Sequence, residues 1–262
     1  MCWKKILDWF KPDPVVPITG NKVALLFAIG DYPGSQNDLI GPPYDSKNAD
    51  NFLKDNYPEF TVKKFTDSEV TGNIFKTTIL SQLAVMKPDD TLVIYYSGHG
   101  TNGIDSSEPD GYREGLYLYD RIFWDDEFTV VLQSIKSGAK VIIVLDSCFA
   151  RGSTTPKNIG YESLRFVQTQ EVPRKLKRIK SMLRSDTMNY IVLAACQENQ
   201  TAADIGPLGG AFTYHWLKAW KRTYNWTEWN DKTALIIKQT GRYSQIPNIE
   251  GDKNLMEQIV LT

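Results

Sequence analysis

Three short, continuous apolar runs predict the fold class: residues 22–29, 91–96 and 141–145, with stretches of helical periodicity between them. Strands that are apolar at almost every position are buried on both faces, and the amphipathic segments between them supply the cover. A fourth such run, 190–195, follows in the last third of the chain. Together they predict a single α/β domain: a mostly parallel central sheet of about six strands with helices on both faces.

In order along the chain, residues 1–11 set Trp3, Ile6, Leu7 and Phe10 on one stripe of a short helix. It either docks on its own domain or serves as an anchor for a partner or a membrane surface, with Cys2 as an acylation candidate. Asp8 interrupts the apolar stretch and no small-residue cleavage site follows, unlike a secretory leader. Pro12, Pro14 and Pro17 make 12–21 an extended linker. The domain then occupies 22–262. Its first strand, 22–29, ends at Gly30. Residues 45–56 read as a helix with Ala49, Phe52 and Leu53 on one face, and 60–65 as an edge strand. Residues 71–86 carry Ile74, Phe75, Ile79, Leu83 and Met86 at helical spacing and stop before Pro88. After the strand 91–96 come a hairpin-like piece at 116–119 and a helix at 125–137, whose opening acids suit the helix dipole. The strands 141–145 and 190–195 follow, then helices at 212–222 and 226–239, and a last strand at 255–261.

Composition narrows the function. Thirty Lys and Arg balance 31 Asp and Glu, which excludes a chain built throughout to coat nucleic acid or anionic lipid. No apolar run reaches the roughly 18 residues that span a bilayer. Cys2, Cys148 and Cys196 are too few and too widely spaced for a disulfide framework, and no CxxC or HxxxH pair offers a structural zinc site. A reducing, cytoplasmic setting follows. Thiol or imidazole chemistry can draw on three cysteines and two histidines, His99 and His215.

In a parallel sheet, ligands bind beyond the carboxyl ends of the strands. Two strands end there in reactive loops: Tyr96-Ser97-Gly98-His99-Gly100 and Asp146-Ser147-Cys148. If these strands are neighbours, imidazole and thiol lie side by side, and a nucleophilic cysteine needs such a base or a positive field. Glycines beside the histidine let backbone come close to a substrate and free N–H groups to hold an oxyanion. Cys196 also ends a strand but has no histidine in a comparable loop, and His215 reads as a helix-surface or packing residue.

His99 lies about 50 residues before Cys148, the spacing seen in caspases. The two motifs resemble those of metacaspases and bacterial caspase-like peptidases. Three later stretches are also similar to that family: Pro109-Asp110-Gly111 through Asp120, Val192 through Ala202 with Gly209-Gly210-Ala211-Phe212-Thr213, and Gln245 through Gly251. The resemblance covers about 22–262 and implies a large-subunit-like part (22–165), an intersubunit-type linker (166–188) and a small-subunit-like part (189–262). It implies a cysteine endopeptidase with Cys148 as nucleophile, His99 as acid/base and the backbone N–H groups of Gly100 and Cys148 as oxyanion hole. The positions matching the family's S1 pocket are Asp45, Ser97 and Asp146. Carboxylates suit a P1 arginine or lysine of a protein or peptide substrate, since a guanidinium takes them in a fork. The alternatives are a helix N-cap for Asp45 and a solvated strand-end acid for Asp146.

Some positions depart from the family text. Phe149-Ala150-Arg151 replaces the usual His-Ser-Gly after the cysteine, and Pro42 replaces a cysteine. No cofactor is required for the chemistry. Calcium activates many relatives, and Asp125 and Asp126 match its ligands, but Arg113 and Thr155 stand where further acids are expected and a helix N-terminal cap explains the two aspartates equally well. The basic run Arg174, Lys175, Lys177, Arg178, Lys180 and Arg184 falls in the linker. It reads as an exposed amphipathic basic helix or as a self-processing region for an enzyme with an acidic pocket, with nucleic acid a distant third. The alternative from another class is a caspase-like interaction module with weak catalysis.

Overall fold

The computed structural model describes residues 20–105, 112–148, 163–167, 189–197 and 200–261. In chain order its elements are β1 (Lys22–Ala28), α1 (Gly41–Asn56), β2 (Phe60–Thr66), α2 (Gly72–Val85), β3 (Thr91–Ser97), β4 (Gly100–Ile104), β5 (Tyr112–Tyr117), β6 (Ile122–Trp124), α3 (Asp125–Leu132), β7 (Lys140–Asp146), β8 (Ser163–Leu164), β9 (Tyr190–Ala194), β10 (Ala203–Asp204), α4 (Ala211–Ala219), α5 (Trp226–Thr240), β11 (Asn248–Gly251) and α6 (Lys253–Met256). Six strands form the central sheet in the order β11-β9-β7-β3-β1-β2, parallel except for β11. β2 is an edge strand and leaves Thr61, Lys63 and Lys64 exposed.

Alternate residues of each buried strand divide the core in two. Ala24, Leu26, Val93, Tyr95, Ile142 and Val144 face α1, α4 and α5, where the indoles of Trp216 and Trp229 stack at 4.0 Å. Leu25, Phe27, Leu92, Ile94, Val141 and Ile143 face α2 and α3, meeting Phe75, Ile79, Leu83 and Val131. Fully buried Trp229 also donates its indole N–H to the Trp216 carbonyl at 2.6 Å, and truncating such a residue to alanine costs about 3–5 kcal/mol. A capping box between Asn225 and Glu228 starts α5, and Gly241 in the left-handed region ends it.

Several boundaries differ from the sequence reading. α1 begins four residues earlier than expected, because Pro42 and Pro43 sit in its first turn, where a missing N–H costs nothing. α3 stops at Leu132, and α4 stops at Ala219. The expected strand at 255–261 is instead α6 followed by turns: Asp252 caps the helix by accepting from the Leu255 N–H, and the last strand, β11, lies before it. The piece at 116–119 belongs to a second, three-stranded antiparallel sheet of β4, β5 and β6. The N-terminal helix at 1–11, almost all of the linker at 12–21 and the basic run at 174–184 lie outside the described residues.

Candidate active site

β3 and β7 are parallel neighbours, with Ser97 opposite Asp146. His99 and Cys148 each come two residues later, so both lie at the carboxyl edge of the sheet on adjacent chain ends. Both are buried, and Cys148 is in no disulfide. The His99 Nε2 lies 2.8 Å from the Asn37 carbonyl. A carbonyl only accepts, so Nε2 carries the proton and Nδ1 is left as the basic nitrogen. Among the described residues Nδ1 has no hydrogen-bond partner. Burial pushes the imidazole pKa down to about 4, against the opposing pull of the Asn37 carbonyl.

Two tyrosines hold this turn. Tyr32 Oη accepts from the His99 N–H at 2.8 Å and its ring packs on the imidazole at 5.0 Å. Tyr96 donates its hydroxyl to the His99 and Tyr117 carbonyls. A Cβ on Gly98 would lie 2.7 Å from both hydroxyls, so only a glycine leaves room for the two tyrosines here.

The three expected pocket residues converge on a group that the sequence reading missed, the guanidinium of Arg165, which is fully buried. Its Nη1 donates to Ser97 Oγ at 2.7 Å and to the Asp146 carbonyl at 3.0 Å, and lies 3.2 Å from Asp146 Oδ1. Its Nη2 donates to Asp45 Oδ2 at 2.7 Å. A fourth residue, Asp204, stands 3.5 Å from Nη2. Thr213 fixes Asp146 by donating both its N–H and its hydroxyl to Oδ2, and the Gly210 N–H donates to Asp45. The carboxylates hold the guanidinium protonated, its pKa raised above an ordinary arginine's. Burial pushes the Asp45 carboxyl pKa up, with Asp146 adding to the shift and Arg165 opposing it.

The N-cap reading of Asp45 is thereby corrected: Ile40 holds the N-cap position, and Asp45 lies within α1, fully buried. The solvated reading of Asp146 fails likewise, because its side chain has no exposed surface. His215 sits on α4 beside Tyr214 and Tyr243, a packing residue as expected.

The backbone around Arg165 is as closely held as its side chain. Its carbonyl accepts from the Gly100 N–H at 2.9 Å and from the Cys148 N–H at 3.3 Å. Before it, β8 pairs antiparallel with β10, and the Arg165 N–H donates to the Ala202 carbonyl. After it, Phe166 pairs parallel with Gly100, the Val167 N–H donates to the Gly100 carbonyl, and Thr101 Oγ1 donates to the Val167 carbonyl at 2.6 Å. An extended segment thus crosses the His99–Cys148 edge, gripped on both sides.

Asp125 and Asp126 lie with Glu127 in the first turn of α3, behind Trp124 at the N-cap. Arg113 stacks its guanidinium on the Trp124 ring at 3.8 Å. A hard cation of this size wants six to eight oxygen ligands. Among the described residues no three acidic, histidine or cysteine side chains cluster to hold an ion.

A six-stranded sheet of this order, with histidine and cysteine loops at its carboxyl edge, defines a caspase-like α/β protein. The chain belongs to the caspase domain family, which matches residues 21–256. It is similar to Metacaspase-1 of Candida albicans, 24% identical over 88% of this chain and 65% of that protein. With Metacaspase-1 of Meyerozyma guilliermondii it shares 33% identity over 50% of this chain and 35% of that one. The matched stretches thus span about a third to two thirds of these relatives. Among solved structures, a Geobacter sulfurreducens protein aligns with a TM-score of 0.67 at 20% identity, over 92% of this chain and 98% of the other. Caspase-1 from Spodoptera frugiperda aligns with a TM-score of 0.57 at 13% identity, over 90% and 88%. No helix among the described residues is long and apolar enough to cross a membrane.

Proposed function

We propose that this protein is a cysteine endopeptidase that cuts after basic residues, and that its first substrate is its own Arg165–Phe166 bond. The observation that carries this is the pose of Arg165, with its guanidinium among Asp45, Ser97 and Asp146 while its carbonyl faces the Gly100 and Cys148 N–H groups. That is where a P1 residue would sit if these positions work as the family resemblance implies. Cys148 Sγ, its proton passed to His99 Nδ1, adds to the Arg165 carbonyl carbon, and the two N–H groups take up the charge on oxygen. The tetrahedral adduct collapses as His99 returns the proton to the Phe166 nitrogen, which leaves as an amine. A water then hydrolyses the thioester, releasing the Arg165 carboxylate and restoring the thiol.

In this reading a cytoplasmic setting keeps the thiol reduced, the basic run at 174–184 is a secondary cutting region, and calcium has no part in the chemistry. The test is to express wild type, Cys148→Ala and Arg165→Ala and to identify chain ends by mass spectrometry. Wild type yields a new N-terminus at Phe166; Cys148→Ala stays intact; Arg165→Ala is uncut at this bond. Wild type also turns over an Arg-terminated fluorogenic peptide. A wild-type chain that remains whole while hydrolysing that peptide overturns the self-cleavage. Equal turnover of an Asp-terminated peptide overturns the basic preference.

A further inference from the structure

Asp204 is a carboxylate that a pocket for basic residues in general does not need. Asp45 and Asp146 already supply two negative charges, and both contact the guanidinium more closely. Yet Asp204 is buried and pinned, since it accepts from the Gly41 N–H at 2.9 Å and from the Gly206 N–H at 2.8 Å. The start of α1 is shaped to let it reach Arg165: a Cβ on Gly41 would lie 2.5 Å from Nη2 and 2.7 Å from an Asp204 oxygen. Gly210 comes as close, since a Cβ there would lie 2.8 Å from the guanidinium carbon. The acceptors around the guanidinium fall into two sets. Ser97 and Asp146 serve Nη1, and Asp45 and Asp204 serve Nη2.

A guanidinium fills both sets at once because its nitrogens are held apart in one plane, whereas an ammonium is a single point of charge. A lysine in this slot satisfies one set and leaves the other buried and anionic, a costly arrangement. Resting on the basic-P1 reading above, we infer that Asp204 is a specificity-determining residue that makes the pocket selective for arginine over lysine. Asp204 also belongs to β10, which pairs with the residues preceding Arg165. The same short strand thus aligns the backbone of the bound segment and reads its side chain.

The test compares kcat/KM for matched Arg- and Lys-terminated peptides in full-length wild type and Asp204→Asn, with melting temperatures for both. Competition by arginine amide and lysine amide reads the pocket without relying on turnover. Wild type prefers arginine at least tenfold in both assays. Asp204→Asn brings the ratio to within about threefold, mainly by loss on the arginine side. Equal use of arginine and lysine by wild type overturns the inference, as does an unchanged ratio in a folded Asp204→Asn. If that variant does not fold, the two wild-type ratios decide. Failure to cleave either peptide would instead count against the basic-P1 reading, so the two failures are distinct.

Discussion

Cys148 and Cys196 occupy equivalent places in the sheet. Each lies two residues past the last residue of its strand, β7 and β9 are parallel neighbours, and both side chains are buried. The difference lies in the strand on the far side. Beyond β7 is β3, parallel to it, which brings His99 to the same edge. Beyond β9 is β11, antiparallel, so the loop that reaches that edge enters a strand rather than leaving one, and it carries no imidazole. The Cys196 thiol is instead held at 3.3 Å from the Gln200 carbonyl. A strand end alone does not bring a histidine to a cysteine's edge of the sheet; a second strand running the same way beside it does.

The largest effect that separates the two cysteines is loss of the nucleophile. Cys148→Ala removes all turnover of the Arg-terminated peptide and leaves the chain uncut on a denaturing gel. His99→Ala lowers kcat/KM by about 10²–10⁴-fold, the usual worth of a positioned acid/base group. The imidazole pKa, lowered to about 4 by burial, predicts the pH dependence of the self-cutting step. The acting form is neutral, present above the pKa and lost as pH falls through it. The first-order rate should hold level from neutrality down to about pH 5 and reach half near pH 4, measured by pH-jump and gel densitometry. A midpoint near 6.5 would mean an imidazole in contact with water. The smallest effect belongs to the other cysteine: Cys196→Ala leaves kcat/KM within twofold and costs about 1 kcal/mol by denaturant unfolding.

Much of this was legible in the chain because the reactive residues are scarce. With two histidines, only one sits where a buried strand ends, and Cys148 ends the next strand of the same kind. The pocket was legible only in part. Asp45, Ser97 and Asp146 came through the family resemblance, but Arg165 is a lone cation between Leu164 and Phe166. It stands out less in the sequence than the dense run at 174–184, although apolar flanks are the better sign of a residue that gets buried. Asp204, between Ala203 and Ile205, shares that sign. Neither could be assigned from spacing, since five separate segments meet there. Leu255, Val260 and Leu261 mimicked a strand because a short helix and a turn can bury the same number of apolar groups. The carbonyl of Asn37 leaves no trace in the side-chain alphabet at all.

Pairing between β7 and β9 has a consequence for any chain cut at Arg165. The two fragments do not separate: each holds strands of one continuous sheet, with β1, β2, β3 and β7 on one side of the nick and β9 and β11 on the other. On a sizing column the nicked protein elutes as a single particle with the volume of the intact chain, and its two pieces part only in denaturant.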